Sequence, residues 1–166
     1  KNLVSEVFDK VHDKYDLMNN LMSFGIHKSW KKQLIFSMKP KSYRKLIDVA
    51  CGTGDIAELF VKATNGRSQV CCVDPNKKMI SVGKERLKKY KNVSWKISSA
   101  EKLPFKSEFF DYYVISFGLR NTKNLDKALS EAFRVLKKGG RFFCLEFSKI
   151  ENEHLNNIFT PKLCII

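Results

Sequence analysis

The chain opens on an apolar pattern of helical period. Val4, Val7, Phe8, Val11, Tyr15, Met18 and Met22 recur at spacings of three and four, with Asp9, Lys10, Asp13 and Lys14 on the other face, which predicts a helix over 4–22. A second pattern, Trp30, Leu34, Ile35 and Met38, ends before Pro40. From Lys45 onward, short continuous apolar runs alternate with amphipathic stretches. Strands are predicted at 46–49, 69–73, 93–97, 112–117 and 141–147. Helices are predicted at 55–64, 77–90 and 124–136, with Gly139-Gly140 stopping the last. Their buried faces are read as Ile56, Leu59 and Phe60, then Met79, Ile80, Val82 and Leu87, then Leu125, Ala128, Leu129, Ala132, Val135 and Leu136. Strands alternating with helices give an α/β fold, Rossmann-like, with a mostly parallel, doubly wound sheet and right-handed crossovers. The segment before the first strand is an addition to that sheet. It is either a pair of helices packed on one edge or a lid lined by Tyr15, Met18, Met22 and Phe24.

The chemistry concentrates where the first strand ends, at Leu46-Ile47-Asp48-Val49-Ala50-Cys51-Gly52-Thr53-Gly54-Asp55-Ile56-Ala57. In open α/β sheets a ligand sits at the carboxyl end of such a strand. Gly52 and Gly54 supply a turn that needs unusual backbone angles or close approach, and Asp55 is expected to cap the next helix. The stretch lacks the third glycine of a dinucleotide fingerprint and the Lys-Ser/Thr of a phosphate loop. From Leu46 to Val61 there is no Lys or Arg, although the chain has 31 of them, while Asp48, Asp55 and Glu58 all fall in that window. A phosphate cradle would not be built so. A site for a cationic ligand could be, and S-adenosylmethionine, with a sulfonium, an ammonium and no phosphate, suits it. The plain alternative is a glycine turn between strand and helix with no ligand.

Asp74 ends the second strand, 20 residues past Gly54. An acid at that position accepts hydrogen bonds from both ribose hydroxyls in this fold class; otherwise it simply starts a turn before Pro75. Ser99-Ala100-Glu101 after strand three and Ser116 at the end of strand four share the same rim, where they would line the adenine and methionine parts of a cofactor.

At 166 residues the chain reads as one domain. Its 43% hydrophobic content is globular, and its net charge is +14. Such an excess suits nucleic acid, an anionic membrane face or an acidic partner, or lysines spread over a solvated surface. Local clusters are Lys28/Lys31/Lys32, Lys39/Lys41/Arg44/Lys45 and Lys84/Arg86/Lys88/Lys89/Lys91. Five cysteines, an odd count without a CxxC, read as reduced thiols in or beside strands, and His12, His27 and His154 show no metal-ligand spacing with them. No uncharged apolar run approaches the roughly 18 residues of a membrane span. No signal peptide is visible, and the start at Lys1 admits a removed leader.

Five blocks stand out: Tyr15-Asp16-Leu17-Met18-Asn19-Asn20-Leu21-Met22-Ser23-Phe24-Gly25-Ile26-His27, the Asp48–Asp55 turn, Ala100-Glu101-Lys102-Leu103-Pro104-Phe105, Ser116-Phe117-Gly118-Leu119-Arg120-Asn121, and Arg134–Arg141 running into Leu145-Glu146-Phe147-Ser148. Together they make the chain resemble the ubiquinone/menaquinone biosynthesis C-methyltransferases, class I S-adenosylmethionine-dependent methyltransferases. The first and fourth are the more specific, since glycine turns are shared by all such methyltransferases. The resemblance covers about Val7 to Ser148. It implies Asp48, Gly52, Thr53, Gly54, Asp74, Ser99, Ala100 and Ser116 as the cofactor pocket, with S-adenosylhomocysteine as product and no metal. The family usually has Gly where Cys51 stands, Asp-Ile-Asn for Asp74-Pro75-Asn76, and Asp or Asn for Ser99, whose shorter side chain is less able to reach an adenine.

The implied reaction moves a methyl group to a ring carbon of a methoxy-polyprenyl benzoquinol of ubiquinone synthesis. Arg120 would stabilise the phenolate, with Asn121 as hydrogen-bond partner and Tyr15 in proton transfer or positioning, as are Asp16 and His27. Otherwise Arg120 caps a helix or forms a salt bridge. The resemblance implies a polyprenyl quinol substrate and admits other ubiquinone-biosynthesis proteins, a peripheral membrane contact and a homodimer as partners, with no nucleic acid. It places the protein on the matrix face of the mitochondrial inner membrane in a eukaryote, the branch its Cys144-Leu145-Glu146-Phe147 favours, and in the cytoplasm of a bacterium. Residues 1–44 would be the lid, 45–150 the cofactor-binding core and 151–166 a truncated segment, with C-terminal strands missing and strand five left as an exposed edge. Two other readings stay open: a methyltransferase acting on RNA, and a cofactor-binding protein without activity.

Overall fold

The structure, a computed structural model, describes residues 27–149 and 159–165, the side chains only as far as Glu146. The predicted helix over 4–22, the lid residues, Tyr15 and Asp16 lie outside the described residues.

Helix α1 (His27–Met38) buries Leu34, Ile35 and Met38. Then follow β1 (Lys45–Val49), α2 (Asp55–Ala63), β2 (Gln69–Asp74), α3 (Lys77–Arg86), β3 (Val93–Ile97), β4 (Phe110–Ser116), a single 3-10 turn (Leu119–Asn121), α4 (Leu125–Val135), β5 (Leu136–Lys149) and β6 (Phe159–Ile165). The sheet order is β3-β2-β1-β4-β5-β6. The first five strands are parallel, as their spacing by crossover segments requires. Period-two alternation along β1 sends Leu46 to one face and Ile47 and Val49 to the other. Leu46 joins Leu34, Ile56, Phe60, Val70 and Leu87 in a core under α1 and α2. Ile47 and Val49 join Val73, Ile115, Ala128, Ala132 and Val135 under α4. The sheet is therefore doubly wound. Its chain direction across the sheet reverses between β1 and β4, the switch point where open α/β sheets leave a crevice.

Three expectations are corrected. Gly139-Gly140 does not stop α4. Val135 ends it, because Glu108 and Phe109 donate backbone N–H groups to the Arg134 and Val135 carbonyls at 2.9 Å, and Leu136 already pairs with Phe110. The register then jumps to Tyr112 opposite Arg141, so residues 137–140 bulge from β5, with Gly139 at φ +73°. Second, β5 is not an exposed edge: β6 pairs with it antiparallel from Phe143 opposite Ile165 to Lys149 opposite Phe159. Third, Leu125, Leu129 and Val82 are 49%, 39% and 42% exposed, since the small residues Ala128 and Ala132 and the glycine at 83 are the ones drawn against the sheet.

Candidate functional site

The segments after β1 and β4 meet at the switch point. Ala50 (φ 54°) and Phe117 (φ 55°) both take left-handed backbone angles as the chain leaves its strands. A Cβ on Gly118 would lie 2.4 Å from the Ala50 Cβ, so the two exits are pressed together and only glycine fits.

The turn 50–54 is held by β2. Cys51 donates its N–H to the Val73 carbonyl at 3.1 Å. Gly52 (φ +55°) donates to Asp74 Oδ2 at 2.8 Å, and Asn76 donates to Asp74 Oδ1 at 2.8 Å. Both oxygens of the Asp74 carboxylate are thus fixed at the rim, each with a lone pair left over. Burial raises the pKa of this carboxyl, and the Asn76 and Gly52 amides act against that. Among the described residues nothing lies within 4 Å of where a Gly52 Cβ would stand, so they leave the space beside the carboxylate open. The Asn76 side chain then caps α3 by accepting from Lys78 and Met79.

Asp48 sits one turn deeper, 1% exposed on the α1/α2 side of β1. Burial pushes its carboxyl up to about 8; Lys31 and the Ala57 amide pull it down, and Asp55 and Asp74 push it further up. Its Oδ2 has no hydrogen-bond partner among the described residues, and neither does the buried Ser116 Oγ. Native structures seldom bury such atoms without a partner, water or ligand.

Asp55 is not the cap of α2. Gly54, at φ +84°, takes that place, and Asp55 is the first helical residue. Its carboxylate pairs with Lys31 at 2.8 Å and Arg86 at 2.9 Å. Burial would raise it, but Lys31, Arg86 and His27 hold it below its ordinary range. Glu58 is taken up by Arg86 at 3.0 Å and Lys62 at 2.7 Å, and the Arg86 guanidinium also donates to the Thr53 carbonyl. The cation-free window in the sequence is therefore not cation-free in space. Of its acids, only Asp48 is left without a cation at hydrogen-bond distance among the described residues. Lys31 and Arg86 carried no local signal, lying 24 and 31 residues from Asp55 in the sequence.

The remaining predicted positions cluster on the same rim. Ser98 donates its N–H to the Asp74 carbonyl at 3.3 Å, Ser99 bonds the Glu101 carboxylate, and Ala100 is buried. Glu101 accepts from the Lys123 and Asn124 amides and so ties this loop to the start of α4. Arg120, in the 3-10 turn, pairs through its guanidinium with Glu146 of β5 at 3.2 Å. Asn121 donates to the Phe117 carbonyl at 3.5 Å. Two partners were missed from the sequence. Cys72 lies within hydrogen-bonding reach of Cys51, and Glu146 holds Arg120. Among the described residues no three His, Cys, Asp or Glu gather as a metal site.

Comparison with known proteins bears on the family and the fold. The model of the ubiE/COQ5 methyltransferase family matches residues 1–162. The ubiquinone/menaquinone biosynthesis C-methyltransferase UbiE of Brucella anthropi is 48% identical over 164 residues, covering 96% of this chain and 62% of the relative. That of Rhizobium etli is 44% identical, covering 96% and 64%. The chain thus spans less than two thirds of the length of these relatives. The crystal structure of YcgJ from Bacillus subtilis superposes with a TM-score of 0.67 at 25% identity, covering 76% of this chain and 54% of that one.

Proposed function

The chain belongs to the ubiE/COQ5 methyltransferase family, and on that premise we propose that it forms the S-adenosylmethionine-binding part of a polyprenyl-quinol C-methyltransferase. The observation that carries this is Asp74, whose carboxylate is braced by the Gly52 and Asn76 amides at 2.8 Å beside open space. A ribose with two adjacent hydroxyls matches its two remaining lone pairs. The partnerless Asp48 Oδ2 and Ser116 Oγ suit a ligand that brings an ammonium and hydrogen-bond donors. No residue of the 50–54 turn is a cation, which suits a ligand without phosphate.

The bound cofactor supplies a methyl group on a sulfonium sulfur, already a good leaving group. What the chain adds is alignment and dryness. Asp74, Gly52, Thr53 and Gly54 fix the nucleoside, Ser99 and Ala100 border it, and Asp48 and Ser116 hold the amino-acid end. Arg120 stays charged at every working pH and cannot act as a base. It stabilises the phenolate oxygen that makes the neighbouring ring carbon nucleophilic, while Glu146 holds its guanidinium at the rim. Asn121 bonds the same oxygen, and Tyr15 positions the ring from the 1–44 segment. The substrate class follows the relatives' names: a methoxy-polyprenyl benzoquinol, with the naphthoquinol as the other choice. A peripheral membrane contact, a homodimer and other ubiquinone-biosynthesis proteins belong to the same reading, as does the matrix face of the inner membrane in a eukaryote or the cytoplasm in a bacterium. No described helix is long and apolar enough to cross a membrane.

Methyl transfer from S-adenosylmethionine to a short-chain methoxy-benzoquinol, run beside transfer to RNA, tests this, with calorimetry of S-adenosylhomocysteine as the control. Product from the quinol alone supports the reading. Uptake of S-adenosylhomocysteine without either product makes the chain a cofactor-binding piece lacking activity, and no uptake by folded protein ends the proposal.

A further inference from the structure

Away from the cofactor turn, the amino-terminal rim of the sheet carries a different chemistry. From Lys28 to Ile47 the sequence holds seven Lys or Arg and no Asp or Glu. Along α1 and the loop after it, Lys28, Lys32, Lys39, Lys41 and Arg44 are all exposed. Two large rings stand among them in solvent, Phe36 at 73% and Tyr43 at 80% exposure. Phe36 lines an open groove together with the apolar Ile35, Pro40, Leu59 and Ala63 and the cationic Lys32 and Lys39. The loop that separates this groove from the next cleft is tied down: Tyr43 donates to the Arg67 carbonyl at 3.0 Å, and Ser68 Oγ donates to the Lys41 carbonyl at 3.2 Å.

Lys41, one residue past Pro40, opens a cleft of about 280 Å³ shared with Arg44, Lys137, Lys138, Arg141 and the bulged backbone of Gly139-Gly140. Among the described residues Asp111 is the one acid lining it, and it already accepts from the Arg44 guanidinium at 3.1 Å, the Lys137 ammonium at 3.0 Å and the Lys45 amide at 2.8 Å. One carboxylate among five cations leaves the cleft strongly positive. Arg141 is oriented by the Met38 carbonyl at 2.9 Å and stacks on Phe143 at 4.8 Å. Among the described residues nothing lies within 4 Å of a Gly139 Cβ position, so an anion can approach the backbone there.

We propose that this edge docks on a bilayer containing anionic phospholipid, with a lipid phosphate in the cleft among Lys41, Arg44, Lys137 and Arg141 and with Phe36 and Tyr43 entering the interface. Cations that flank aliphatic walls and exposed rings match a charged headgroup above an acyl layer. A nucleic acid would instead need a run of stacking surfaces along a charged track; here, among the described residues, two rings stand beside walls that are otherwise aliphatic. Helix α1 runs from the Asp55 side of the sheet, through Lys31, to the Arg141 side, through the Met38 carbonyl. The β1/β4 crevice opens at the carboxyl ends of the strands, the rim opposite this cleft, so docking here leaves it uncovered. This deepens the peripheral membrane contact of the proposed function, but its test does not use methyl transfer.

The test is co-sedimentation of the chain with vesicles of phosphatidylcholine alone and of equimolar phosphatidylcholine and phosphatidylglycerol. Binding to the anionic vesicles only, weakening as salt rises, is the expected result. Replacing two exposed lysines together, Lys41→Gln with Lys138→Gln, lowers the partition coefficient roughly tenfold or more, and Phe36→Ser lowers it separately. Unchanged circular dichroism and S-adenosylhomocysteine affinity show that the variants remain folded. Equal sedimentation with both vesicles overturns the proposal, and so does unchanged binding by folded variants. It also fails if inorganic phosphate or RNA binds at this cleft while anionic vesicles do not. A chain that docks on anionic vesicles but methylates no quinol leaves this proposal standing and counts only against the quinol-methylating reading.

Discussion

The indole of Trp95 occupies the space that a side chain on Gly54 would need: a Cβ there would stand 2.7 Å from Trp95 Cη2 and 3.0 Å from the Leu87 Cδ1. The same ring excludes a side chain at Gly83, whose Cβ would lie 2.3 Å from it and 3.0 Å from the Thr53 carbonyl. One residue of β3 thus clamps the ligand turn against α3. Gly83→Ala, which in an open helix would stabilise by up to about 1 kcal/mol, is expected to destabilise by roughly 1–3 kcal/mol. Gly54→Ala is expected to cost more, since its φ of +84° adds a left-handed strain of about 1–2 kcal/mol. Denaturant unfolding measures both. Trimming the ring with Trp95→Leu should relieve Gly83→Ala more than Gly54→Ala, and a double-mutant cycle with no coupling would refute the clamp.

Asp48 couples the site to pH. Its folded pKa of about 8 lies above the 3.8 of an aspartate carboxyl in the unfolded chain. Between these values the folded state holds a proton that the unfolded state has lost. The contribution to stability is full below pH ~4 and drains at up to about 1.4 kcal/mol per pH unit until pH ~8. Asp48→Asn should flatten that part of the stability curve. At pH 7, uptake of S-adenosylhomocysteine with its ammonium should expel about one proton, visible as a dependence of calorimetric heat on the ionisation enthalpy of the buffer. A parent protein and an Asp48→Asn variant with the same dependence would contradict this.

Asp74→Ala removes the acceptor of two backbone N–H groups and of the proposed ribose contacts. Each charged hydrogen bond is worth about 1.5–3 kcal/mol, so S-adenosylhomocysteine affinity should fall about 100-fold or more. Asp74→Asn, which keeps one acceptor oxygen, should fall less. Equal affinities for parent and Asp74→Ala would remove this residue from the site.

For Arg120 the expected outcome separates binding from chemistry. Arg120→Ala should bind S-adenosylhomocysteine as tightly as the parent and lose kcat by about 10²–10³-fold, the usual cost of one donor at a developing oxyanion. Glu146→Gln should cost less, because it only loosens the guanidinium. A normal turnover rate for Arg120→Ala would remove Arg120 from the methyl-transfer step.

Much of this architecture was written locally. The alternation of apolar runs and amphipathic stretches placed five parallel strands to within a few residues, because strand and helix periods are short-range properties. The Gly52-Thr53-Gly54 turn and Asp74 were legible for the same reason: each stands at a strand end where the chain must reverse. The left-handed angles found at Ala50 and Phe117 gave no such sign, since neither residue favours them.

What the tertiary structure decided is how charge and volume are shared between segments distant in the chain. Sequence counted Asp55 and Glu58 as acids for a cationic ligand, and folding gave them to Lys31, Arg86 and Lys62. It left Asp48 buried and raised its pKa, set Trp95 against two glycines, laid β6 along β5, and gathered Lys41, Arg44 and Arg141 around one carboxylate. Backbone preference acts over a few residues and can be read along a line. Coulomb energy and close packing act over a few ångströms, and only the fold says which residues those are.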